Sequence, residues 1–306
     1  MNKFIGLLVL VIIAFSCKNT DKEKADNLVI IEAQDIKTES YELYKPAEKI
    51  KAVLILFGGY PETAEDIKRE FKILSKAKAN SVAVLYMNYN RKIWLENNEL
   101  IQLSNQFKAL FKAHQLPLDN IYIGGFSSGG NMALLISNFM TEQNLDIIPK
   151  GTFIVDSPID LEQLYYTAEK NIALNFSESA VEESTWLLKT LSAKFGNPKE
   201  DASKYIDYSV FNSKTKNIAH LKHLKNTKIR LYTEPDTLWW KKNANNIYEN
   251  MNAFYIKKLS EILNQSNYKA IEYIETKNKG YRDNGERHPH SWSIIDKENL
   301  MNWMLN

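Results

Sequence analysis

Six of the eleven glycines fall in two short clusters, Gly58-Gly59 and Gly124, Gly125, Gly129, Gly130. Glycine tolerates tight turns and close backbone approach, so a glycine-poor chain that gathers it in two places needs special geometry there. Both clusters adjoin predicted strands. Residues 52–57 (AVLILF) form a continuous apolar run, and residues 120–124 run straight into Gly and Ser. A continuous apolar run predicts a strand buried on both faces, as in a parallel sheet covered by helices.

The rest of the chain alternates in the same way. Further strands are predicted over 28–33, 40–44, 81–86, 152–155, 228–232 and 269–275, and helices over 63–78, 94–114, 131–140, 246–263 and 293–304. Thr63 is a candidate helix cap, with Asp66 three residues on completing a partial capping box. Strands that alternate with helices argue for an α/β architecture, a mostly parallel sheet with helices on both faces. The segment from about 160 to 227 breaks the alternation: it is helical, polar and aromatic, with Tyr165, Tyr166, Trp186 and Phe195. It reads as a helical cap insertion over one end of the sheet, within a single domain spanning 28–306.

The N-terminal segment reads as an address. Lys3 precedes an uncharged apolar run over 4–15, then Ser16 and Cys17, the single cysteine of the chain. The run is about half the ~20 residues that span a bilayer, which predicts a secretory signal instead of a transmembrane helix. Ala14-Phe15-Ser16-Cys17 resembles the lipobox of bacterial lipoproteins, in which the cysteine carries the lipid. The expectation is a lipoprotein signal peptide over 1–17 and a polar tether over 18–27. The protein is then exported and held by its lipid on the periplasmic or cell-surface side of a bacterial membrane. Composition narrows the partners further. A net charge of +2 gives no basic excess for nucleic acid, and one cysteine excludes a disulfide framework or a cysteine-based metal site within the chain.

Gly125-Phe126-Ser127-Ser128-Gly129 fits the pattern G-x-S-x-G between a predicted strand and a predicted helix. A serine at the tip of such a turn is forced into strained backbone angles, and only small neighbours let the two segments pass closely. The turn lifts the Ser127 hydroxyl out of the sheet. It also sets it beside helix-terminal amides, Ser128 N–H first, that can meet a developing oxyanion.

With these residues the chain resembles the α/β-hydrolase superfamily, most nearly its serine esterases, over most of 28–306. The resemblance implies Ser127 as nucleophile. Phe57-Gly58-Gly59-Tyr60 falls where the family places its other oxyanion donor, with Gly59 or Tyr60 supplying the N–H. Family order then calls for an acid and a histidine after the serine. Thr233-Glu234-Pro235-Asp236 is similar to the segment in which many members carry the acid at the fourth position, which favours Asp236 over Glu234. Asp156 is a weaker choice, since some members place the acid after that earlier strand.

Histidine arithmetic does the rest. His114 precedes the nucleophile and reads as structural, and His220 and His223 lie before the acid with no carboxylate pattern for a metal site. Only His288 and His290 remain beyond Asp236. His290-Ser291-Trp292 resembles the His-x-Trp of several esterase branches, whereas His288 precedes Pro289, which restricts its backbone. His290 is the expected base and His288 the second choice.

The implied chemistry is hydrolysis of a small-molecule ester or other acylated substrate through an acyl-enzyme on Ser127, with no metal or organic cofactor required. Tyr60, the cap aromatics and Trp239-Trp240 are candidates to shape its pocket. A peptidase, an acyltransferase, or a non-catalytic surface lipoprotein that binds a ligand are the alternatives.

Overall fold

The computed structural model describes residues 32–89 and 92–306, so Cys17, the signal segment and the tether lie outside the described residues. Eight strands form one sheet: β1 Gln34–Lys37, β2 Tyr41–Lys45, β3 Ala52–Phe57, β4 Val82–Met87, β5 Ile121–Phe126, β6 Pro149–Val155, β7 Lys228–Thr233 and β8 Ile271–Glu275. Their order is β1-β2-β4-β3-β5-β6-β7-β8. β2 pairs antiparallel with both β1 and β4, and every pairing from β4 to β8 is parallel.

The apolar run of β3 shows why this sheet needs two covers. Val53, Ile55 and Phe57 join one core with Leu103 and Phe107 of helix α3 (Asn97–His114), Met132 and Leu135 of α4 (Ser128–Glu142) and Ile256 of α9 (Asn252–Gln265). Ala52, Leu54 and Leu56 join the opposite core with Ile67 and Phe71 of α1 (Ala64–Phe71), Ala77 of α2 (Leu74–Ala79) and Leu300 of α10 (Lys297–Leu305). Alternate side chains of a strand point to opposite faces, so an unbroken apolar strand requires helices on both.

The single helix expected over 63–78 is two helices. Thr63 caps α1 in a capping box with Asp66, but Lys72 adopts a left-handed conformation (φ 50°) and ends it. Phe71 and Ile73 are both fully buried, and residues two apart lie on nearly opposite sides of a helix. The break at Lys72 turns Ile73 back toward the sheet. The helix expected over 246–263 starts later, as α9 (Asn252–Gln265) after a 3-10 turn over Tyr248–Asn250, and a further helix, α8 (Thr237–Ala244), precedes it and ends at Asn245 (φ 50°).

Residues between β6 and β7 form three helices, α5 (Leu161–Leu174), α6 (Glu178–Phe195) and α7 (Ser203–Tyr208). They bury a core of their own around Leu161, Tyr165, Leu187, Leu191, Phe195 and Tyr205. β5, β6 and β7 lie side by side, so the turns that follow them share one edge of the sheet.

Candidate active site

Ser127 follows β5 directly and precedes α4, with φ 51° and ψ −128°. That region is disfavoured for any residue with a Cβ, and it survives here because neighbouring atoms hold it. Ser127 N–H donates to Val155 O at 2.9 Å, and Gly130 N–H donates to Ser127 O at 3.0 Å. Two glycines make the turn possible. A Cβ on Gly125 would lie 2.1 Å from Gly129 O, and one on Gly129 would lie 2.3 Å from Phe57 O. No side chain fits between these backbones.

Asp156 stands at the next strand end, directly after β6, also with positive φ (45°). Its Oδ2 lies 2.6 Å from His290 Nδ1. Thr233 Oγ1 donates to Asp156 Oδ1 at 3.3 Å, and Asn252 Nδ2 donates to the Asp156 carbonyl at 2.9 Å. The carboxylate is thus held from β7, and the backbone that carries it from α9, while it faces the imidazole. Ser127, Asp156 and His290 all line one cavity of about 140 Å³, roofed by Leu164, Thr167 and Asn171 of α5 and Trp186 of α6.

Asp236, the acid expected from family order, is engaged elsewhere. Its Oδ1 caps α8 by accepting Trp239 N–H at 3.0 Å, and its Oδ2 pairs with Arg287 Nη2 at 2.7 Å. Glu234 is buried and accepts from Thr276 Oγ1 and from the Lys279 and Gly280 amides, besides pairing with Arg287. Both acids therefore fasten the loop that leads to His290. The place beside the imidazole belongs to Asp156. Of the two histidines, His288 packs its ring 4.7 Å from Trp239, and its Nδ1 is buried with no hydrogen-bond partner. Burial, with Arg282 and His290 nearby, pushes its pKa down to about 3, so His288 stays neutral at ordinary pH.

The amides of the glycine turn are already committed in the free protein. Gly59 N–H donates to Glu62 Oε2 at 3.0 Å, and Tyr60 N–H donates to Ser128 Oγ at 3.0 Å. Ser128 N–H belongs to the first turn of α4, where amides have no acceptor within the helix. Of the residues expected to shape the pocket, Tyr60, Trp186 and Trp240 line the cavity. Trp239 instead packs against Trp240 and His288.

Sequence reasoning passed over Glu62. The same Oε2 accepts Trp292 Nε1–H at 3.1 Å, so one carboxylate ties the glycine turn to the His-x-Trp segment. Trp292 itself is fully buried, stacked 4.6 Å from Phe71, which anchors the histidine loop in the core. Enclosure raises the Glu62 pKa to about 6, against the pull of the Trp292 and Gly59 hydrogen bonds. A folded-state pKa above the unfolded value of 4.5 means the native state binds the extra proton. This group's contribution to stability is then full below pH about 4.5 and is lost as pH rises through about 6. In Glu62→Gln that loss disappears. Its stability relative to wild type should rise by about 1–2 kcal/mol between those pH limits, as read by urea denaturation at each pH.

No protein-family model matches the chain, and no curated protein matches it in sequence. Solved structures do match across most of its length. A bacterial esterase of the hormone-sensitive lipase family superposes with a TM-score of 0.55 at 12% identity, covering 90% of this chain and 84% of that one. The sheet order and these neighbours together decide the architecture. The chain has the α/β-hydrolase fold. An esterase/lipase from an uncultured bacterium gives a TM-score of 0.55 at 10% identity, over 90% and 85% of the two chains. An esterase of Pyrococcus furiosus gives 0.52 at 13% identity over 90% of each. Within the α/β-hydrolase fold, Ser127 occupies the strand-to-helix elbow after β5, and the glycine turn follows β3, its parallel neighbour.

Proposed function

We propose that this protein is a serine hydrolase of carboxylic esters, with Ser127 as nucleophile, His290 as base and Asp156 as the acid that orients it. The observation that carries the reading is the conjunction of a strained Ser127 and a 2.6 Å His290–Asp156 contact on one cavity. With Nδ1–H donated to Asp156, the other ring nitrogen of His290 is the proton acceptor. Ser127 Oγ attacks the ester carbonyl and its proton passes to His290 Nε2. The tetrahedral oxyanion is met by Ser128 N–H, a contribution of about 3 kcal/mol for such a donor. Collapse expels the alcohol, which takes the proton back from His290. Water then repeats the sequence on the acyl-enzyme and releases the carboxylic acid.

The solved neighbours, described as esterases, support the choice of ester over other acyl groups, while Ser127, His290 and Asp156 support acyl transfer in general. The test is labelling of purified protein by a fluorophosphonate probe, with turnover of p-nitrophenyl acetate. Labelling confined to Ser127 is the expected result. A folded wild-type protein that neither labels nor turns over would refute the reading.

We also propose export and lipid anchoring through Cys17, supported by the apolar run over 4–15 and the single cysteine at its end. Among the described residues, no helix is long and apolar enough to cross a membrane. Mass spectrometry of the N-terminal peptide from a membrane fraction should find Cys17 diacylated, and Cys17→Ala should move the protein to the soluble fraction. An unmodified, soluble wild-type chain would sink this assignment.

A further inference from the structure

We propose that the side-chain hydroxyl of Ser128 is a second oxyanion donor, held in place by the Tyr60 amide. This inference rests on the serine-hydrolase reading above and adds a catalytic group to the same site.

Most donors around Ser127 are already taken. The tetrahedral intermediate of acyl transfer places a full charge on one oxygen, and more than one donor ordinarily meets it. Ser128 N–H is one, in the first turn of α4. The glycine turn is the nearest source of another, because it presses on the nucleophile: a Cβ on Gly59 would lie 2.8 Å from Ser127 Cβ. Yet both of its amides have acceptors. Gly59 N–H donates to Glu62 Oε2, a carboxylate oxygen that Trp292 Nε1–H also holds. Tyr60 N–H donates to Ser128 Oγ at 3.0 Å.

That last bond defines what the Ser128 side chain can do. Ser128 is only 5% exposed, and it lines the cavity together with Tyr60, Ser127 and His290. A hydroxyl accepts and donates at once. Its oxygen takes the Tyr60 N–H, and among the described residues no acceptor takes its proton. The hydroxyl therefore sits at the cavity wall, beside the nucleophile, with its donor unused.

Two arrangements bring the turn to the oxyanion. In the first, Ser128 Oγ swings away and Tyr60 N–H meets the charge directly. That breaks a hydrogen bond in a largely buried corner before its replacement forms. In the second, Oγ stays and the O–H turns about the Cβ–Oγ bond toward the oxyanion. No heavy atom moves, which is the condition under which preorganised donors act without reorganisation. Tyr60 N–H then polarises the hydroxyl, and linked hydrogen bonds strengthen one another. The second arrangement is the one proposed. The proton remains on Ser128 Oγ, so no bond is made or broken there.

Ser128→Ala removes the hydroxyl and leaves the backbone amides in place. With p-nitrophenyl acetate, kcat and kcat/KM should fall together by about 10²-fold, because the lost contact exists only while the charge does. Inhibition by 2,2,2-trifluoroacetophenone, whose hemiketal with Ser127 carries the same oxyanion, should weaken by a similar factor. Ser128→Thr restores a hydroxyl and should recover most of both losses. A serine that merely propped the turn would change the melting temperature without this parallel between rate and inhibition. Turnover in Ser128→Ala equal to wild type or faster overturns the proposal, since the hydroxyl would then only block the Tyr60 amide. A slow Ser128→Ala with unchanged ketone inhibition overturns it as well, as does a folded Ser128→Thr no faster than Ser128→Ala. Should Ser128→Thr fail to fold, the ketone comparison between wild type and Ser128→Ala decides. In each of these cases fluorophosphonate labelling of wild-type Ser127 shows that the serine-hydrolase reading still stands. Absence of that labelling in folded wild type would remove the reading, and this inference with it.

Discussion

If Asp156 is the triad acid proposed here, Asp156→Asn should lower kcat for p-nitrophenyl acetate by about 10⁴-fold, the scale expected when such an acid loses its charge and the imidazole its tautomer. Asp236→Ala, by contrast, should leave kcat within about tenfold and cost about 1–2 kcal/mol of stability, because it removes the cap of α8 and a partner of Arg287. Steady-state kinetics and urea denaturation on the two variants separate the roles. The contrast is large because the two carboxylates do different work. Asp156 is buried and bonded to His290 Nδ1, with Thr233 and Asn252 fixing its approach. Asp236 is partly exposed, and its two oxygens are taken by Trp239 N–H and Arg287. If Asp236→Ala proves as damaging as Asp156→Asn while folding normally, the acid is misassigned.

Ser127→Ala should reduce kcat by about 10⁶-fold and abolish fluorophosphonate labelling, the effect seen when a serine hydrolase loses its nucleophile outright. A companion variant tests the geometry of the turn. At φ 51°, Ser127 holds a conformation that costs a residue with a Cβ about 1–3 kcal/mol, and glycine escapes most of that cost. Ser127→Gly should therefore be inactive yet more stable than Ser127→Ala by about 1 kcal/mol in urea denaturation. Equal stability of the two would mean that the elbow is not strained. Residual activity above about 1% in Ser127→Ala would mean that another group performs the attack.

How far the chain could be read without coordinates depended on the range of the forces involved. The buried strands were legible because a six-residue apolar run such as that of β3 is too short for a buried helix and suits a doubly covered sheet. The elbow was legible for a local reason too: Gly125, Ser127 and Gly129 must be small or strained within a few residues of one another. The split of the helix at Lys72 was harder. It follows from the burial of both Phe71 and Ile73, which depends on the sheet beneath them. Glu62 left no signal, since its two donors come from Gly59 nearby and from Trp292 at the far end of the chain.

By itself, then, the sequence determined the α/β-hydrolase architecture, the serine at its elbow and the short list of histidines that follow it. Tertiary structure alone decided which acid meets His290. β6 and β7 are neighbours whose ends share one edge, and each is followed closely by an aspartate, Asp156 or Asp236. Spacing along the chain ranks the two but does not separate them. The choice is made by the course of the loop between β8 and His290. Arg287 pins that loop to Glu234 and Asp236, and the imidazole is left to the carboxylate one strand nearer to Ser127.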